Sequence, residues 1–298
     1  MYEQITSNKR KTFFLCFLFL VLIFFLGWLL GEFTGFREEG VILAVIIAGV
    51  ATFGSYYYSN RIVLAISRAR PVKKEEYPYL YNVVEGLAIA AGLPKPQCYI
   101  IQDSAPNAFA TGRNPKNSVI VVTTGLLEKL NRAELEGVIA HEMAHIKNYD
   151  ILLGTVTVVM VGVAALLSDW ILRTFFWSGG RRKGGRRGGR RNAGLILILI
   201  GLILAILAPL ISQLIRLAIS RRREFLADAS GAMLTRYPPG LISALKKLDS
   251  DSEPLEAANK ATAHLYIVNP LKDIKGKVNK LFGTHPPIEE RIAALEKM

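Results

Sequence analysis

Residues Ala140–His141–Glu142–Met143–Ala144–His145 spell H-E-x-x-H. On a helix, positions four apart share a face, so His141 and His145 can direct imidazole nitrogens at one point. That is half of a tetrahedral zinc site, with one Zn2+ per chain. Glu142, one step round the same turn, can reach a water beside the ion and act as its base. The competing reading is two histidines that merely cap a buried helix. A catalytic zinc takes three protein ligands and an open position, and two histidines with a glutamate are one known set. Glu142 is needed as base, so the third ligand has to come from elsewhere.

Ser220 to Asp228 continues from an apolar run as a predicted helix, on which Glu224 and Asp228 share a face. Glu224 is the best third ligand. Asp228 fits as an acceptor for an imidazole N–H, which fixes the tautomer and strengthens the ligand. Ala227 and Ala229 are small enough for two helices to approach closely. Spacing alone equally allows Glu224 to pair with Arg221 or Arg223 on a wet surface.

The histidine helix has a clear start. Asn131 can cap it, Glu134 stands three residues on, and Leu130 and Leu135 are placed for a hydrophobic staple. Beyond His145 the helix is expected to run on through Asp150 into the apolar run 151–172. Upstream, Leu80, Val83, Val84, Leu87 and Ala91 have helical spacing, stopped by Gly92 and Pro94. Then the period changes to three short strands, Gln97–Gln102, Asn107–Thr111 and Ser118–Thr123, predicting a small antiparallel sheet with a turn at Arg113–Asn117. Asn107, Ala108, Phe109 and Ala110 are the candidate edge on which an extended substrate could pair through its backbone; an ordinary hairpin strand fits the same residues. Two amphipathic helices close the chain, around Leu241, Leu245 and Leu248 and around Ile288, Ile292 and Leu295. His285, before a proline pair, is a candidate hydrogen-bond donor to the transition state, whereas His264 reads as structural.

Half of the 298 residues are hydrophobic and the mean hydropathy is +0.30, high for a chain of net charge +13. Much of that charge flanks apolar runs: Lys9 to Lys11, Arg61 to Lys74, and Arg216 with Arg221 to Arg223. Cations so placed read as signals of the inner face of a membrane and as contacts to anionic lipid. No finger spacing, aromatic RNA-binding strand or basic zipper is present, so nucleic acid is not a predicted partner. Cys16 and Cys98 suggest neither a disulfide framework nor a metal knuckle. Phe13 to Leu30 is an uncharged run of 18 residues, about 27 Å as a helix, and reads as an anchor. Val41 to Ser59 is a second span. Runs 151–172 and 193–219 are two more, separated by the Gly/Arg tract 179–191. His141 and Glu224 must meet on one side, so those two runs cross an even number of times or form a shallow hairpin; four spans is the expectation. The expected divisions are a two-helix membrane anchor (1–60), a first catalytic part (61–150), the hydrophobic hairpin (151–219) and a second catalytic part (220–298).

His141-Glu142-x-x-His145, Arg-x-Arg-Glu-x-x-Ala-Asp (Arg221 to Asp228), Asn107-Ala108-Phe109-Ala110 and Thr284-His285-Pro286-Pro287 resemble the motifs of HtpX-type membrane zinc proteases, relatives of the CAAX prenyl proteases. The resemblance implies that Glu224 is the third zinc ligand. It also implies a mainly α fold: multi-pass membrane helices plus a gluzincin-like zinc metalloprotease domain with the small sheet. Such a protein would lie in the cell membrane with its catalytic domain on the cytoplasmic side. It would cleave misfolded or damaged membrane proteins, or unfolded polypeptides, as a quality-control and stress-response protease, with the lipid bilayer as a further partner. The Gly/Arg tract departs from that pattern, and nothing in the sequence sets an oligomeric state. A zinc-binding membrane scaffold without activity is the alternative. It would keep His141, His145 and Glu224 but tolerate loss of Glu142. A metal transporter would need polar groups within the spans, and these runs carry very few.

Overall fold

The computed structural model describes residues 2–34, 37–180, 220–258, 262–268, 270 and 286–298. His285, the fourth apolar run and the tract from 181 to 191 fall outside them.

Both N-terminal apolar runs are helical, in α1 (Tyr2–Thr34) and α2 (Arg37–Ile66). After the short strand β1 (Arg70–Pro71), α3 (Pro78–Ala91) begins on a proline. It stops at Gly92, whose φ of 67° suits a residue without Cβ and lets its N–H reach back to the Ala88 and Ile89 carbonyls.

Strands β2 (Gln97–Ile101), β3 (Ala108–Gly112) and β4 (Ser118–Thr123) follow, and the sheet order is β1-β2-β4-β3. The sheet is mixed rather than antiparallel. From β2 the chain first crosses to the far side to lay down β3. A tight hairpin, closed by the Asn114 side chain accepting from the Asn117 N–H, then returns it as β4 between the two. β4 is therefore antiparallel to β3 but parallel to β2. Every residue of β4 is buried, as a central strand requires.

After α4 (Thr124–Lys129), α5 (Arg132–Lys147) starts with the anticipated capping box. Asn131 Oδ1 accepts from Glu134 N at 3.0 Å and Glu134 Oε2 from Asn131 N at 2.8 Å. Leu130 and Leu135 are both buried in the main core. Glu134 also ties α5 to α8 (Pro238–Ser250), accepting from Ser243 Oγ at 2.6 Å and Lys247 Nζ at 2.8 Å. Burial would raise the Glu134 carboxyl, but Lys247, Ser243 and the Asn131 N–H hold it below the ordinary glutamate range. A depressed carboxyl stabilises the fold above its unfolded value, near pH 4.3, and that contribution is lost as pH falls through the folded value. Glu134→Gln is thus expected to cost about 1 kcal/mol at neutral pH. The gap in thermal midpoint between it and wild type should close as the pH drops below about 4.

α5 does not run on. It ends at Lys147, Tyr149 adopts a left-handed φ of 61°, and α6 (Asp150–Gly180) leaves at 82° to α5. A straight continuation would carry Asp150 away from His145; the bend brings it back.

Further along the chain, α7 (Arg221–Thr235) and α8 pack on α5, and α9 (Ile288–Leu295) closes over both. The main core joins α3, the sheet, α5 and α8 through side chains such as Leu80, Ile120, Leu135, Met143 and Leu245. A second cluster packs Leu15, Phe19 and Ile23 of α1 against Leu152, Leu153, Val156 and Met160 of α6. Among the described residues no single helix is long and apolar enough to cross a membrane; α5 with residues 150–163 of α6 meets that test only as a bent pair.

Candidate metal centre

His141 Nε2 and His145 Nε2 lie 3.1 Å apart. Glu224 brings Oε2 to 3.7 Å from the first and Oε1 to 3.7 Å from the second. An ion bonded to two imidazoles at 2.0–2.1 Å in tetrahedral geometry separates their nitrogens by about 3.3 Å, close to the spacing found.

Proton positions follow from the other ring nitrogens. His141 Nδ1 is 2.9 Å from Asp228 Oδ1, and His145 Nδ1 is 3.0 Å from Asp150 Oδ2. Ionised carboxylates only accept, so each Nδ1 carries a proton and each Nε2 is the atom left to take up a cation, whether a proton or a metal ion. Two bare Nε2 atoms beside a carboxylate repel unless a cation sits between them. The donor set fits a metal ion. The field says the same: burial disfavours charge on His145, yet Asp150, Glu224 and Glu142 raise its pKa to about 9. The same carboxylates that attract a proton there attract a metal.

α7 reaches α5 because of Gly231, where a Cβ would stand 2.9 Å from the backbone nitrogen of His141. Ala227 is buried and Ala229 only in part, and at the glycine there is no room for even a Cβ. Asp228 is held in turn by Arg291 of α9, which is fully buried. Arg291 Nε and Nη2 donate to its two oxygens at 2.8 and 2.6 Å, and Nη1 donates to the Ile267 carbonyl at 2.9 Å. Burial alone would raise the Asp228 carboxyl; Arg291 and His141 hold it far below the usual carboxylate range. Removing one partner of such a pair strands the other charge. Arg291→Gln is therefore expected to lower stability by about 3–5 kcal/mol. Arg291→Met combined with Asp228→Asn should recover part of the lost thermal midpoint.

Glu142 is buried on the opposite side of the pair and accepts a hydrogen bond from the Ala110 N–H. Burial pushes its carboxyl up; the two imidazoles pull against this and Glu224 reinforces it. Ala110 belongs to β3, an edge strand of the sheet. The outward groups of β3 are partly engaged: Ile267 N donates to Ala108 O at 3.0 Å, and Gly112 N to Thr155 Oγ1 at 3.3 Å. Asn107 Nδ2 donates to Val268 O at 3.0 Å, and the Phe109 ring meets Tyr266 edge-on in the core. The cavity between β3 and the metal ligands holds about 50 Å3, space for a few waters. His264 stands in its wall, with Nε2 3.3 Å from the Gly154 carbonyl.

The fold thus brings His141, His145, Glu224, Glu142, Asp228 and Ala110 to one point. Sequence reasoning missed Asp150 and Arg291. Asp150 was hidden by the assumption of one continuous helix. Arg291 lies just past the Thr284–Pro287 motif, but nothing local ties it to Asp228.

The chain is similar to several known proteins. A protein named Protease HtpX homolog from Dictyoglomus turgidum is 52% identical over 100% of this chain and 94% of its own length. One of the same name from Thermoanaerobacter pseudethanolicus is 47% identical over 100% and 98%. The crystal structure of S. mikatae Ste24p shares the fold at 20% identity and a TM-score of 0.51, covering 99% of this chain and 67% of that one. The sequence pattern of peptidase family M48 matches residues 74–298, a segment that contains every ligand and acid–base group above, and the chain belongs to that family.

Proposed function

We propose that the chain is a membrane-embedded, zinc-dependent endopeptidase that hydrolyses peptide bonds of misfolded or damaged membrane proteins. The observation that carries this is three ligand atoms of His141, His145 and Glu224 within 4.8 Å of one another, beside the buried carboxylate of Glu142, which is not one of that group. Zinc held there would supply a Lewis acid that polarises the scissile carbonyl and acidifies water at neutral pH.

The side chains do the rest. Glu142 accepts the proton of the attacking water on its carboxylate and passes it to the leaving amine. Burial raises its carboxyl, which makes it a stronger base than an ordinary glutamate. Asp228 and Asp150 keep His141 and His145 as Nδ1–H tautomers and lock both rings. The substrate aligns along Asn107–Ala110 of β3. Because Ile267 occupies Ala108 O and the cavity is small, the stretch around Ile267 moves aside when a peptide enters.

Membrane embedding is supported by the outer faces of α1 and α2. Phe13 is 76% exposed and Val50 68%, with Phe17, Phe24, Ile42 and Ile46 beside them, a bare apolar surface that lipid would cover. The cations flanking these runs favour a catalytic domain on the cytoplasmic side. The test is purified full-length chain incubated with casein, with zinc or with a chelator. Cleavage that zinc restores and chelator abolishes is the expected result. Zinc binding without cleavage, with the site intact, would make the chain a scaffold and overturn the proposal.

A further inference from the structure

Asn8 of α1 is 1% exposed and lies far outside the segment 74–298 that carries the family pattern. Its Nδ2 donates to Asn148 O at 2.8 Å and to Asp150 Oδ1 at 2.7 Å. Both partners are acceptors, so the orientation of the amide is settled: only the NH2 side can face them. Asp150 Oδ1 also receives Arg223 Nη1 at 3.3 Å, while Oδ2 faces His145 Nδ1 at 3.0 Å. Two donors on one oxygen fix the rotation of the carboxylate, and with it the oxygen presented to the imidazole.

The same turn of α1 holds the bend that makes this possible. Tyr149 sits at a φ of 61°, a conformation costing about 1–2 kcal/mol for a residue with a side chain. Asn8 holds the carbonyl before it, and Lys9 Nζ stands 4.4 Å from the centre of its ring. α1 therefore clamps residues 148–150 on both sides of the strained position.

We infer that Asn8 is a positioning residue of the metal centre, so that the N-terminal helix sets metal affinity by holding Asp150 on His145. The inference rests on the reading of His141, His145 and Glu224 as the ligands. Loss of a partner that orients a ligand typically costs 10- to 100-fold in metal affinity. Asn8→Ala removes the donor. Asn8→Asp has nearly the same shape but turns a carboxylate oxygen toward Asp150 and the Asn148 carbonyl.

The experiment uses full-length protein in detergent. Zinc affinity is measured by competition with a chromophoric chelator, and the visible absorption of the Co2+-loaded protein is recorded. Leu15→Ala, which loosens the packing of α1 against α6 and Tyr149 but leaves the hydrogen bonds from Asn8 to Asn148 and Asp150 in place, is the packing control, and Glu224→Ala is the ligand control. Both Asn8 variants are expected to bind zinc about 10- to 100-fold more weakly and to shift the Co2+ spectrum, Asn8→Asp at least as much as Asn8→Ala. Leu15→Ala should stay within about threefold of wild type even where it lowers the thermal midpoint more. Wild-type affinity in Asn8→Asp, or an equal loss in Leu15→Ala, would overturn the inference and leave the ligand reading standing. Undiminished binding by Glu224→Ala would instead overturn the ligand reading, and this inference with it.

Discussion

Glu142→Gln is expected to keep its zinc and lose two or more orders of magnitude in turnover. The amide has the size of the carboxylate, and its carbonyl can still accept from the Ala110 N–H, so the cavity stays as it is. It cannot take a proton from water or return one to the departing amine. General acid–base catalysis is worth roughly 100- to 10,000-fold, and that is the loss expected in kcat, with KM little changed. Zinc content measured by elemental analysis should match wild type. A variant that cleaves casein at the wild-type rate would remove Glu142 from the mechanism.

Glu224→Ala has the opposite profile. It deletes a carboxylate whose Oε2 lies 3.7 Å from His141 Nε2 and whose Oε1 lies 3.7 Å from His145 Nε2, and leaves two histidines facing each other with one ligand missing. Affinity should fall by more than the ~100-fold that loss of an orienting partner costs, and the purified protein should emerge largely without metal. Yet α7 remains anchored by Asp228 on Arg291 and by the contact of Gly231 with α5. Thermal midpoints measured in excess chelator should therefore nearly coincide for the variant and wild type. A large loss of midpoint under those conditions would mean that Glu224 supports the fold rather than the ion.

Much of the site could be read from local spacing. Asn131 with Glu134 marks a helix start, and the i, i+4 rule puts His141 beside His145 and Glu224 beside Asp228, because these are properties of one turn of helix. What joins the two helices is not local. Gly231 matters only because another backbone lies against it, and Arg291 only because α9 folds back over Asp228. The order of the strands escaped for the same reason: β-branched and aromatic residues mark β2 and β4, and the turn at Arg113–Asn117 sets off β3, but none of these shows that β4 enters between its neighbours. Asp150 failed differently. Apolar residues continue at helical spacing past His145, so periodicity joined α5 to α6, and the turn at Tyr149 uses a conformation its residue type does not advertise.

Chain order adds a constraint in time. A ribosome delivers His141 and His145 well before Glu224, and Arg291 later still. Until Arg291 has emerged, closing Asp228 into the interior would strand an unbalanced negative charge, so the nascent polypeptide has no comfortable way to shut the pocket. The last helix to be made is thus the one that lets the site close.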